Sequence, residues 1–349
     1  MSFRILEREV GTEFPPFVIA ELSGNHGGSL QRALDTVDAV AEAGADAIKL
    51  QTYTADTMTL NVDHNRFRIQ DEKSLWAGRH FYDLYNEAHT PWEWHEAIFA
   101  RAAERGILAF SSPFDSTAVT FLADLGVPAL KIASFEVTDL PLIRTAAATG
   151  LPLILSTGMA TREEISAAVD AAVQVGCTEL ALLWCTSAYP APAEASRLRG
   201  IPDLRAWSGR EVGLSDHTLG TAVAVAAVAL GASVIEKHVT LDHELATVDG
   251  EFSLDPAGLA QLVRETRVVW TALGEVAYGP SDAETGSLRF RRGLYFVRDL
   301  PAGSSIGRTD VRSLRPAADL GPDAVSQVVG RHVNVAVRRG DPVSWNNVE

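Results

Sequence analysis

Cysteine is scarce. Cys177 and Cys185 are the only two in 349 residues, and no CxxC pair is present. This excludes a disulfide framework and the paired-cysteine zinc or redox motifs, and it suits a reducing compartment. Long apolar runs are also missing. The Ala/Val-rich stretch 221–231 falls short of the roughly 18 residues a membrane span needs, so it is expected as a buried helix. The start of the chain, MSFRILEREVGTEF, holds no apolar core of the secretory kind. A cytoplasmic chain with no membrane partner is expected. Positive charge is the third shortage: 30 Lys and Arg stand against 45 Asp and Glu, a net charge of −15. A surface that acidic disfavours nucleic acid and anionic lipid. Any anionic substrate must therefore meet a local cluster of cations.

Apolar residues, by contrast, make up 46% of the chain, enough for a large core. They fall into eight short runs rich in β-branched residues: 17–23, 47–53, 108–114, 129–135, 151–157, 180–187, 212–218 and 233–240. Most are continuous rather than alternating, as in parallel strands buried on both faces. Amphipathic helical patterns lie between them. One places Leu30, Ala33, Leu34, Val37 and Ala41 on one face, with Gly44 following. Another runs from 161 to 175 and stops before Gly176. Strand–helix alternation repeated eight times predicts an α/β fold closed as a (β/α)8 barrel; an open doubly wound sheet is the alternative. The stretch 61–90, with Arg66, Phe67, Trp76, His80, Tyr82 and Tyr85, is predicted as an excursion over the barrel mouth. Beyond the barrel (residues 1–277), a polar linker is expected over 278–290, then a small β domain over 291–349. Within that domain VRDLPAGSSI (297–306) and VAVRRGDPVSW (335–345) form a weak internal repeat.

Barrel enzymes carry their chemistry at the C-terminal ends of the strands. Those ends here supply Glu21, Asn25 and His26; Lys49 and Gln51; Lys131, Ser134 and Glu136; Ser156; Thr186, Ser187 and Tyr189; Ser215, Asp216 and His217; Glu236, Lys237 and His238. Taken singly, a buried lysine is commonly an ion-pair partner, a strand serine is commonly structural, and a histidine is as often a core residue as a ligand. So many polar groups at one rim, each costly to bury unpaired, point to use. Lys131, Ser134, Ser156 and Ser215, with Lys49, suit a phosphate. His217 and His238, on neighbouring strands, suit one divalent ion. Glu21, Glu136 and Glu236 are acid–base candidates. Cys185 is expected as core filler. His64, His80, His89, His95, His243 and His332 are expected at the surface or in packing.

The stretches IAELSGNHGGSL, AIKLQTYTADTMTL, TPWEWH, AFSSPFD, KIASFE, STGMA, CTSAYP, VGLSDHTLG and VIEKHVTL closely resemble the sialic acid synthase family. The second domain resembles the antifreeze-like (SAF, β-clip) module that follows the barrel in that family. QTYTADTMTL, TPWEWH and CTSAYP resemble the pseudaminic acid branch, and Ser187 stands where the sialic acid branch usually has Asn. The resemblance implies condensation of phosphoenolpyruvate with a 2,4-diacetamido-2,4,6-trideoxyhexose, giving a nine-carbon acid and phosphate. An N-acetylneuraminate or legionaminic acid synthase is the alternative. It implies phosphoenolpyruvate on Lys49, Lys131, Ser134, Ser156, Ser187 and Ser215. It implies a divalent ion, Mn2+ with Mg2+ or Co2+ as alternatives, on His217 and His238. Catalysis would fall to Glu21, Glu136, Lys49 and His238. The sugar would meet Asn25, Gln51, Tyr189, Glu236, Asp249 and Arg315, the last reaching a neighbouring subunit in a domain-swapped homodimer. Three departures from the family pattern bear on the sugar: Trp184 before CTS, expected to reshape the floor or mouth; Gly250-Glu251 after Asp249; and Ala317 after Arg315-Pro316.

Overall fold

The structure is a computed structural model that describes residues 3–349. It divides into two compact units, Met1–Gly274 and Glu275–Glu349. The break follows the helix Pro256–Leu273 at Gly274, ahead of the expected boundary at 277. The stretch read as a linker, 278–290, carries short helical turns at Asp282–Thr285 and Leu288–Phe290. The first is nucleated by a capping box between Ser281 and Glu284.

The first unit opens with a hairpin, β1 (Phe3–Ile5) and β2 (Arg8–Val10), paired antiparallel. Three-residue strands are too short for periodicity to reveal, so the sequence did not announce them. Eight parallel strands follow: β3 (Phe17–Glu21), β4 (Ala47–Thr52), β5 (Leu108–Pro113), β6 (Leu130–Ile132), β7 (Leu153–Ser156), β8 (Leu180–Cys185), β9 (Glu211–Asp216) and β10 (Val234–His238). Each arises from one of the eight apolar runs. They close in sequence order, with β10 returning to pair with β3. The strands are almost wholly buried, because helices cover the outside while side chains from other strands fill the inside. The helix Leu30–Glu42 buries Ala33, Val37 and Val40, and the Ser29 side chain caps it by accepting from the Arg32 amide. The helix Arg162–Gln174 starts with a Thr161–Glu164 capping box. No helix among the described residues is long and apolar enough to cross a membrane.

Register decides which side chains face inward. Glu21 lies beside His238 and Lys49, Gln51 beside Ser112, Ser215 beside Glu236 and Cys185. Since side chains alternate along a strand, these residues share the barrel interior. Their chain neighbours Trp184, Asp216 and Lys237 face the helices. Lys237 accordingly finds its partner outside the barrel lumen, 2.7 Å from Asp216 Oδ2.

The excursion between β4 and β5 contains a turn of 3-10 helix, Asn65–Phe67, and the helix Phe81–Ala88. In the second unit β11 (Gly293–Phe296) and β12 (Val311–Leu314) pair antiparallel. The two repeat arms meet directly, Leu300 pairing with Val337, over a small core that includes Leu294, Phe296, Ile306, Val333 and Val343.

Candidate active site

Two buried ammonium groups organise the interior end of the barrel. Lys49 Nζ lies 2.5 Å from Glu21 Oε2, 3.1 Å from Ser112 Oγ and 3.8 Å from Glu236 Oε2. Lys131 Nζ donates to Ser156 Oγ at 2.6 Å and to the Ile132 carbonyl at 3.2 Å, and lies 3.6 Å from Glu236 Oε1. Ser215 Oγ donates to Glu236 Oε1 at 2.9 Å, and Gln51 Nε2 to Glu21 Oε1 at 2.9 Å. Each of these charges would cost several kcal/mol to bury alone. Burial by itself raises the Glu236 pKa, but Lys131 and then Lys49 outweigh it and hold the carboxylate below its usual range. The Lys131 pKa is lowered too, by burial against the pull of Glu236. Glu236, expected among the sugar contacts, stands between the two lysines, because its place on β10 faces the barrel axis. Gln51 likewise has its amide on Glu21.

Next to Lys131 is a cradle of hydroxyls. Ser134 follows β6 and its Oγ accepts from the Gly158 amide at 3.1 Å. A Cβ on Gly158 would come within 2.7 Å of Ser134 Oγ and would also press on the Ser187 hydroxyl. Glycine at 158 therefore keeps open a space between Ser134 and Ser187. One ammonium with several hydroxyls is a donor set suited to a tetrahedral anion.

The two imidazoles converge. The rings of His217 and His238 lie 5.3 Å apart, centroid to centroid. His217 Nδ1 is 2.9 Å from the Thr186 carbonyl, which sets that nitrogen as the donor and leaves Nε2 available. His238 Nδ1 has no hydrogen-bond partner and lies 3.6 Å from Asp249 Oδ2. Burial, then the neighbouring His217, pushes the His238 pKa well below its usual value, so it is neutral, the form that ligates metals. Among the described residues no cluster of three or more His, Cys, Asp or Glu forms a complete metal cage. A buried pair of imidazoles with one orphaned nitrogen fits a partly open site, in which substrate and water supply the remaining ligands. Tyr189 packs 4.5 Å from His217, and Phe252 4.9 Å from His238. Asp249 is bonded to the Ser23 hydroxyl, and burial raises its pKa.

Both acid–base candidates at the near strands are poised around neutrality. Burial pushes Glu21 up to about 7 despite Lys49, and pushes Glu136 up to about 7 despite Lys131. Glu136 Oε2 has no partner.

Several expected residues are elsewhere. The Asn25 amide is spent within the protein: it donates to the Val239 carbonyl and Ser253 Oγ, both at 2.8 Å, and accepts from Thr247 Oγ1 at 2.7 Å. It ties the loop after β3 to the loop after β10. Trp184 does not reach the mouth. Its outward position on β8 lays it over Gly200, with Nε1 donating to the Ser196 carbonyl at 2.7 Å. Cys185, expected as filler, faces inward, 3.9 Å from both His217 Nδ1 and Ser187 Oγ. Glu251 is exposed in the turn Gly250–Phe252. Arg315 and Ala317 are exposed on the second unit. His95 is a packing residue, 2.7 Å from Thr52 Oγ1. The sequence reading passed over Ser112, Ser23, Phe252 and Cys185 as site residues. Ser112 was accessible, since it shares parity with Phe110 on an inward-facing strand; the others depend on loop geometry that no periodicity carries.

A closed parallel barrel with buried cations, a hydroxyl cradle and paired imidazoles at the strand ends defines a TIM-barrel enzyme. Residues 36–278 match the NeuB family and residues 291–349 the SAF domain; the chain belongs to the NeuB family. It is 42% identical over 333 residues to the pseudaminic acid synthase of Campylobacter jejuni, covering 95% of this chain and 96% of that protein. It is 39% identical over 337 residues to the pseudaminic acid synthase of Helicobacter pylori, covering 96% and 98%. Among solved structures, the N-acetylneuraminic acid synthetase of Leptospira borgpetersenii, in complex with citrate, superposes with a TM-score of 0.74 at 33% identity, covering 83% of this chain and 96% of that one.

Proposed function

We propose that this chain condenses phosphoenolpyruvate with the open-chain aldehyde of a 2,4-diacetamido-2,4,6-trideoxyhexose, giving a nine-carbon nonulosonic acid and phosphate: a pseudaminic acid synthase-type transferase. The observation that carries this reading is the placing of Lys131, Ser134, Ser156 and the Gly158 opening beside two converging imidazoles. The 39–42% identity to pseudaminic acid synthases, against 33% to an N-acetylneuraminic acid synthetase, supports the sugar.

In this reading Lys131 and the hydroxyls of Ser134, Ser156, Ser187 and Ser215 hold the phosphate, and Lys49 meets the carboxylate. An incoming dianion takes over the positive field that Glu236 otherwise balances. The alkene carbon of phosphoenolpyruvate forms a bond to the aldehyde carbon, and the aldehyde oxygen takes up a proton. Water adds to the resulting cationic carbon and gives up a proton. The carbon–oxygen bond to phosphate then breaks. Glu21 and Glu136, both near 7, can each give or take a proton at neutral pH. His217 and His238 would hold a divalent ion, manganese foremost, whose chemistry there is Lewis-acid polarisation of the aldehyde oxygen. Tyr189 and Asp249, against those imidazoles, meet the sugar. Arg315 would reach it from a second copy in a swapped homodimer. In support, Phe135, Met159 and Leu219, on loops after β6, β7 and β9, expose 60%, 62% and 64% of their surface, and a small second unit gains from docking. The reaction belongs in the cytoplasm, in keeping with two free cysteines.

Phosphate release from phosphoenolpyruvate, measured against a panel of acetamido-hexoses with and without Mn2+, tests the proposal. Release with the diacetamido-trideoxy sugar is expected; release with N-acetylmannosamine in its place would move the assignment to the sialic acid branch.

A further inference from the structure

The excursion that follows β4 returns one aromatic ring to the site. Trp76 sits in a stretch whose neighbours Asp71, Glu72, Lys73, Leu75, Ala77 and Gly78 are all exposed, yet it is half-buried itself. Its ring lies 5.7 Å from that of Tyr189, and Tyr189 lies 4.5 Å from His217. Its Nε1 donates to the Val248 carbonyl at 2.9 Å, next in the chain to Asp249. The indole is thus latched to the loop after β10, and its one donor is spent there. What the indole offers to a ligand is carbon surface.

We propose that Trp76 is a specificity-determining residue: with Tyr189 it forms an apolar wall for the methyl-bearing end of a 6-deoxy sugar. The inference rests on the proposed condensation. With the aldehyde carbon beside His217 and His238, the far end of the six-carbon chain points away from the imidazoles, and Trp76 adjoins Tyr189, the ring next to His217. A methyl group gains by leaving water there. A hydroxymethyl group in the same place loses its water and finds no partner. A wall of this kind rejects a substrate with one added hydroxyl by at most about 100-fold, which sets the scale of the effect.

The test is kcat/KM for phosphate release at saturating phosphoenolpyruvate, with the 2,4-diacetamido-2,4,6-trideoxyhexose and with its 6-hydroxy counterpart, for wild type, Trp76→Ala and Trp76→His. Wild type should favour the deoxy sugar. Trp76→Ala should lose most of that preference, roughly tenfold or more on the scale above, with the KM for phosphoenolpyruvate unchanged. Trp76→His, which keeps a ring and puts a donor in the wall, should improve use of the 6-hydroxy sugar. A preference that survives both substitutions would overturn the wall. A wild type that releases phosphate with N-acetylmannosamine but with neither of these sugars would overturn the condensation it rests on.

Discussion

Lys131 Nζ donates to Ser156 Oγ at 2.6 Å while lying 3.6 Å from Glu236 Oε1. The lysine is therefore held from two sides, by a neutral hydroxyl and by a carboxylate that opposes the lowering of its pKa by burial. Removing the ammonium would leave Glu236 with Lys49 alone. Lys131→Met is expected to raise the KM for phosphoenolpyruvate by about 100-fold or more, as loss of a charge-assisted contact to phosphate of about 3 kcal/mol would. An unchanged KM in steady-state kinetics would remove Lys131 from the phosphate site.

Gly158 offers a test that deletes no functional group but displaces the Ser134 and Ser187 hydroxyls. Its backbone does not require glycine, but an added methyl would occupy the space between Ser134 and Ser187. Gly158→Ala should weaken phosphoenolpyruvate and leave the sugar KM unaffected. A variant with wild-type phosphoenolpyruvate kinetics would show that the opening is not the phosphate cradle.

His217→Ala should abolish turnover and lower the affinity for Mn2+ measured by calorimetry. Full activity of that variant in chelator-treated solution would remove the metal assignment.

The raised pKa of Glu136 has a stability consequence. In the unfolded chain it titrates near 4.5, and in the folded protein near 7. Between those values the folded state binds the extra proton, so its contribution is fully present below 4.5 and is lost as pH rises through 7. Glu136→Gln removes that loss. Its stability relative to wild type should rise across this window, by up to about 3 kcal/mol, and stay level above it. Denaturant melts at acid and neutral pH that give the same difference would contradict the assignment.

Trp184 provides the converse case, a residue that the family pattern marks as unusual but that faces away from the chemistry. Trp184→Phe loses the bond to the Ser196 carbonyl and should cost about 1 kcal/mol of stability. Its kcat and both KM values should match wild type; a changed sugar preference would place Trp184 at the mouth after all.

Arg315→Ala is expected to raise the KM for the sugar more than that for phosphoenolpyruvate. Equal effects on the two would remove Arg315 from the sugar site.

The barrel was legible because strands buried on both faces have no room for polar residues except where they end. That one constraint produced both the eight apolar runs and the polar rim. Within the rim, strand parity was the stronger guide: Glu21, Lys49, Lys131 and His238 lie inward as alternation requires. Trp184 was misread because it was taken with the rim by position along the chain, although its parity matches Asp216 and Lys237. The bonds by which the Asn25 amide joins the loops after β3 and β10 were not legible, because hydrogen-bond partners are a three-dimensional property. Glu236 carried the right parity, but only the closed barrel, which brings Lys49 of β4 and Lys131 of β6 to it across the interior, shows that both lysines flank it. Trp76 and Phe252 lie on loops, where spacing carries no information about which ring turns inward.

The central claim is that one cradle holds the phosphate of phosphoenolpyruvate while carbon bonds to carbon beside it. The most direct test uses phosphoenolpyruvate labelled with heavy oxygen in the bridge between carbon and phosphorus, turned over with the diacetamido-trideoxyhexose. The account predicts that the label leaves in phosphate, by carbon–oxygen cleavage. Label retained in the sugar acid, with unlabelled phosphate, would contradict it.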